Sequence, residues 1–148
     1  MRPYLGVYLG VVALDRLLKW VAWSQLTPGR PVAIFPFLHL NLTFNTGAAF
    51  GLLPDARWAL AALGLGITIA SFVAARRVPA REAGLLAGLG LAGGGATGNF
   101  IDRVAYGYVV DFLDLRIWPV FNLADSAIVV GGLYLAWRAL VWRPPGGR

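Results

Sequence analysis

The sequence predicts an all-α membrane protein, one domain of four transmembrane helices with polar excursions on one side of the bilayer. Three observations predict it. Hydrophobic residues make up 58% of the 148 residues and charged residues 14%; with a mean hydropathy of +0.66 the chain is too apolar for an ordinary soluble domain of its length. Four stretches, roughly 4–23, 57–75, 83–100 and 120–142, approach the 20 or so apolar residues that a helix needs to cross the hydrocarbon. Charge is also sorted between their ends. With both termini inside, the inner side holds Arg2, Arg76, Arg77, Arg81, Arg138, Arg143 and Arg148 against Glu82 alone, as the positive-inside rule requires. The outer side holds six bases and six aspartates.

The same composition excludes several function classes. With no cysteine, disulfides, thiolate catalysis and thiolate-bound metal are ruled out, and a single histidine forms no cluster. The net charge of +6 is spread over segment ends without an aromatic-interleaved basic patch, so nucleic acid is not the expected partner.

In chain order, Arg2 precedes an apolar run as in a secretory leader, but no small-residue cleavage pattern follows and the run continues into DRLLKWVAW, so a retained first helix is expected. TPGRPVAIFP, with three prolines, breaks it. Residues 38–45 then alternate, Leu38, Leu40, Leu42 and Phe44 on one face and His39, Asn41, Thr43 and Asn45 on the other, a half-buried strand lying on the membrane surface or under a small sheet. TGAAFGLLP turns the chain into the second helix, and the short basic RRVPARE joins the second to the third.

The third helix carries small residues at Gly84, Gly88 and Ala92 and again at Gly90, Gly94 and Gly98, the spacing that lets membrane helices approach closely. Within it, GLGLAG matches a dinucleotide-binding fingerprint in form only, because no strand precedes it and it lies inside an apolar span. Residues 101–119 are expected to form a second outer loop, with Pro119 ahead of a fourth helix that runs from about Phe121 to Trp142. Trp137 and Trp142 are its expected interfacial anchors.

Acidic residues near lipid are costly when ionised and mark either function or a paired structural site. Asp15 and Lys19 are four apart on one helix face, a spacing for self-neutralisation or for support of a polar site. Asn122 with Asp125 reads equally as a helix cap and first-turn acid. Asn99 is placed to close the third helix, with Asp102 and Arg103 as an exposed pair. Considered together, Asn45, Asn99, Arg103, Asp111, Asn122 and Asp125 all fall on the outer side and can converge.

Two aspartates held about 3 Å apart at a partly dry site share one proton. The ionised member can then deprotonate an attacking water while the other protonates a carbonyl oxygen or leaving amine, hydrolysing an amide without metal, cofactor or covalent intermediate. Of the three acids in DFLDLRIWPVFNLAD, Asp111 follows two valines and precedes Phe112, where a carboxyl is desolvated, whereas Asp114 has Arg116 nearby and is expected to be exposed and ionised. Asp111 and Asp125 are therefore the expected pair. Serine chemistry with Ser126 and His39 is disfavoured, since no nucleophile-elbow pattern surrounds Ser126. Two other classes remain. A proton-coupled transporter would also use paired acids, though it often shows repeated halves with broken helices, absent in this short chain; a purely structural membrane protein explains each motif but not their joint placement.

The blocks DRLLK, NTGAAFG, GGATGNFIDR, VVDF and FNLADS, in that order and over most of the chain, resemble the lipoprotein signal peptidases, the signal peptidase II family. Arg16 departs from the resemblance, because glutamine is frequent there. The likeness implies a bacterial cytoplasmic-membrane aspartyl endopeptidase that removes the signal peptide of diacylglyceryl-modified prolipoproteins, cutting before the lipidated cysteine with Asp111 and Asp125. It implies that Asp15, Lys19, Asn45, Gly47, Asn99, Arg103, Asn122 and Ala124 line or support the site. It also implies a small outer sheet over residues 24–56 that cradles the substrate, a flap around 104–119, and inhibition by globomycin. The expected enzyme is a monomer among membrane lipids, with no cofactor.

Overall fold

A computed structural model describes residues 1–47 and 56–141. Helices α1 (Arg2–Gln25), α2 (Arg57–Arg77), α3 (Ala83–Ala105) and α4 (Leu123–Val141) are joined by strands β1 (Val32–Phe35), β2 (Leu38–Asn45) and β3 (Val109–Asp114). By length and apolar composition α2 and α4 can cross a membrane, while α1 carries Asp15, Arg16 and Lys19 within its length. The expected turn beyond Gly47, the anchor Trp142 and the tail arginines Arg143 and Arg148 lie outside the described residues.

α3 is the central helix, packing against α1, α2 and α4, and its two small-residue stripes explain how. Gly84 and Gly88 lie under the Tyr134 ring of α4. On another face, a Cβ on Gly90 would come within 2.8 Å of the Tyr4 carbonyl oxygen of α1, and one on Gly98 within 2.6 Å of the Asp15 carboxylate. Backbones at this distance admit only glycine, which is how two polar neighbours fit between helices.

The helix boundaries correct one expectation and bear out another. α3 does not end near Asn99 but runs on to Ala105, where Gly107 at φ +89° donates its N–H to the Arg103 carbonyl at 3.2 Å, a left-handed glycine cap. Asn99 is thus an interior helix residue that projects its amide sideways. α4 begins at Leu123 because Asn122 and Asp125 cap each other: the Asp125 N–H donates to Asn122 Oδ1 at 2.9 Å and the Asn122 N–H donates to Asp125 Oδ2 at 3.2 Å, a reciprocal capping box.

The second outer excursion is not a plain loop. Its first residues complete α3, and Val109–Asp114 forms the third strand of an antiparallel sheet ordered β1-β2-β3. The sheet is therefore larger than residues 24–56. β2 pairs Leu40 with Leu113 and then Thr43 with Asp111, advancing three residues for two on β3, so one extra residue bulges from β2 and breaks its alternation. Leu42, Val110 and Phe112 are buried with Ala22 from the end of α1, and Leu18, Leu26 and Leu40 pack around them. After β3 the chain doubles back, and Phe121 exchanges backbone hydrogen bonds of 2.8 and 3.0 Å with Leu113. That return sets Asn122 beside Asp111.

Candidate active site

Asp111 and Asp125 arrive from different elements, β3 and the first turn of α4, and line one cleft of about 230 Å³ with Asn45, Gly47, Asn99 and Arg103. Asn122 bonds to both. Its Nδ2 donates to Asp111 Oδ1 at 2.6 Å, while its backbone N–H donates to Asp125. The outer oxygens are held by two further amides: Asn45 Nδ2 donates to Asp111 Oδ2 at 3.0 Å and Asn99 Nδ2 to Asp125 Oδ1 at 2.7 Å. These four contacts are neutral, so they orient the carboxylates without neutralising them.

The electrostatic result is clearest at Asp111. Burial and the adjacent Asp125 charge push its carboxyl up to about 7, against a pull downward from the Asn45 and Asn122 amides and the Lys19 ammonium. A carboxyl that changes protonation near neutral pH, facing a second carboxyl, is suited to general acid–base chemistry.

The remaining sequence-predicted residues form the shell around this pair. Gly47 donates its N–H to Asn45 Oδ1 at 3.0 Å and accepts at its carbonyl from Arg103 at 3.3 Å. Lys19 lies 3.0 Å from Asp15 and donates to Asn99 Oδ1 at 2.9 Å. Asp15 Oδ1 in turn accepts the Ala124 N–H at 3.1 Å. The charge pair on α1 is thus both self-neutralising and connected to the site. Ser126 donates to the Asn122 carbonyl, whereas His39 pairs across the sheet with Asp114.

Two expectations are corrected. Asp102 and Arg103 are not an exposed pair: Asp102 is fully buried, 2.6 Å from Arg16 and 2.7 Å from Lys19, because continuation of α3 turns it toward α1. Asp114 is not exposed either, retaining 6% of its surface. Burial raises its carboxyl, but the Asn41 amide and the Arg116 N–H and guanidinium outweigh that and leave it below the ordinary carboxylate value. Its ionised character stands, from hydrogen bonds rather than from water.

Residues 7–141 match the family described as signal peptidase (SPase) II. The lipoprotein signal peptidase of Moorella thermoacetica is 43% identical over 99% of this chain and 98% of its own length; that of Burkholderia mallei is 43% identical over 95% and 89%. The chain belongs to the signal peptidase II family. A solved bacterial membrane enzyme aligns with a TM-score of 0.83 and 26% identity over 100% of this chain and 96% of that one, and another with 0.82 and 28% over 97% and 96%. This signal peptidase II family member is an integral membrane protein of peptidase lineage.

Arg16, Asp102 and Asn41 take part in the polar network of this family member beyond what their sequence context foretold. Only Asp102 left a usable trace. Once α3 is extended past Asn99, residues 99, 102 and 103 are one helical turn apart and share a side of the helix.

Proposed function

We propose that the chain is a four-span aspartyl endopeptidase that removes the signal peptide from diacylglyceryl-modified prolipoproteins, cleaving before the lipidated cysteine. The observation that carries this reading is the convergence of Asp111 and Asp125 on one cleft with Asn122 bonded to both, in a chain whose relatives are lipoprotein signal peptidases. The two acids share one proton. The ionised member accepts a proton from water as its oxygen attacks the scissile carbonyl, and the protonated member donates to the carbonyl oxygen. Collapse of the tetrahedral intermediate breaks the C–N bond, with a proton delivered to the departing amine.

Length and charge compensation support the reading of four spans. α1 and α3 are as long as α2 and α4, and their acids are buried against Lys19 and Arg16 rather than facing lipid, which removes most of the insertion penalty. The arginine distribution supports both termini in the cytoplasm and the sheet and acid pair at the outer face of the bacterial inner membrane. An apolar groove of about 360 Å³ runs along α4 from Asp125 past Trp118, Phe121, Val129 and Val130, a lateral route for a lipid-embedded substrate. Of the segment around 104–119 expected as a flap, the first residues end α3 and Val109–Asp114 is β3, which leaves Trp118 and Pro119, lining the cleft, for the flap's role.

The test is cleavage of a lipidated precursor and of its unlipidated form by the purified, detergent-solubilised enzyme. The lipidated form is expected to be cut, globomycin to block it, and both Asp111→Asn and Asp125→Asn to abolish it. Cleavage by either variant at the wild-type rate would remove the acid pair from the mechanism.

A further inference from the structure

Behind the acid pair lies a second, fully different group of charges: Asp15, Arg16 and Lys19 of α1 and Asp102 of α3. The guanidinium of Arg16 spans it, with one nitrogen 2.6 Å from Asp102 Oδ1 and the other 2.9 Å from Asp15 Oδ2 and 3.1 Å from the Gly98 carbonyl. Each of these carboxylates uses its remaining oxygen on the backbone. Asp15 Oδ1 accepts the Ala124 N–H at 3.1 Å, and Asp102 Oδ2 accepts the Val110 N–H at 3.2 Å. Ala124 immediately precedes Asp125 and Val110 immediately precedes Asp111.

We propose that Arg16 is a positioning residue for the acid pair: by bridging Asp15 and Asp102 it clamps the two backbone N–H groups that place Asp125 and Asp111, and it balances the charge behind them. The inference rests on the peptidase reading for its catalytic consequence.

Lys19 cannot substitute for Arg16. An ammonium has three protons, and those of Lys19 are engaged by Asp15 at 3.0 Å, Asp102 at 2.7 Å and Asn99 at 2.9 Å. Without Arg16, Asp102 Oδ1 loses the only side-chain partner described for it, and two buried carboxylates face one cation. A fork-shaped guanidinium holds two carboxylates in fixed geometry where an ammonium acts as a point charge. The uncompensated negative charge also reaches the acid pair. The charged groups that act on Asp111 are Lys19 from α1, Arg103 from α3 and Asp125 from α4, with only the neutral Asn45 from β2, and Asp102 bears on the pair through Lys19, 2.7 Å away. Added negative charge in that setting favours the protonated acid.

The experiment uses the full-length protein in detergent, as wild type, Arg16→Gln and Arg16→Lys, with two readouts: steady-state cleavage of a lipidated precursor and the titration midpoint of Asp111 by carboxyl carbon NMR. For Arg16→Gln, kcat is expected to fall about tenfold or more with KM within about twofold, and the Asp111 midpoint to rise by about half a pH unit or more. Arg16→Lys is expected to return the midpoint toward wild type while leaving kcat reduced, because charge is restored without the bridge. An unmoved midpoint in Arg16→Gln overturns the proposal, whether kcat is unchanged or falls only in proportion to the folded fraction. If wild type cleaves nothing, the peptidase reading fails and the midpoint alone judges Arg16.

Discussion

The two ends of β3 put the same side chain to opposite uses. Asp111 and Asp114 are three residues apart, both buried, and the odd spacing on a strand sends them to opposite faces. Asp111 meets Asn122, Asn45 and the Asp125 carboxyl and is pushed up to about 7. Asp114 meets Asn41, the Arg116 N–H and, at 3.6 Å, the Arg116 guanidinium, and falls below the ordinary carboxylate value. Burial raises both; the hydrogen-bond donors and charges around each decide the outcome. A second carboxylate makes one aspartate a proton carrier, and hydrogen bonds from the Asn41 amide and the Arg116 N–H, helped by the Arg116 guanidinium, make the other a fixed anion.

The largest expected effect separates the two acids by activity. Asp111→Asn is expected to lower cleavage of a lipidated precursor about a thousandfold or more, whereas Asp114→Asn, away from the reacting atoms, stays within about fivefold in the same assay. Equal losses would erase the distinction.

Next is pH. Because the folded state holds Asp111 above its ordinary value, it binds the proton more tightly than the unfolded chain does, and stability falls as pH rises from about 4 to about 7. Asp111→Asn removes that cost. Its Tm is expected to exceed wild type at pH 8 and to match it near pH 4. For Asp114 the sign reverses, since a depressed value stabilises the fold above the ordinary carboxylate range and the contribution is lost as pH falls. Asp114→Asn therefore lowers Tm at pH 7 and loses its effect in acid.

Smaller effects sharpen the role of the amides. Asn122→Ala removes the residue that bonds to both acids and is expected to cost about 10- to 100-fold in kcat, measured under saturating substrate. Asn41→Ala deprives Asp114 of one hydrogen bond and is expected to destabilise by about 1 kcal/mol in denaturant unfolding at pH 7, with kcat unchanged.

These contrasts also mark what the sequence made legible. The alternation at 38–45, the glycine stripes of the third helix and the valines before Asp111 are local patterns, and they led directly to β2, to the α3 packing faces and to a desolvated acid. What stayed hidden depended on long-range partners. Asp102 looks like a surface charge until α1 supplies Lys19 and Arg16, 83 and 86 residues away. Asp114 looks solvated until Asn41 closes over it, 73 residues away. The bulge in β2 is invisible in a perfectly alternating string because it is imposed by the pairing with β3.

The most direct measurement is the titration of Asp111 by carboxyl carbon NMR in the wild-type protein and in Asp125→Asn. Proton sharing predicts a midpoint near 7 in wild type and a clear drop once the Asp125 charge is gone. An ordinary carboxylate midpoint in wild type, or one that does not respond to Asp125→Asn, would contradict it.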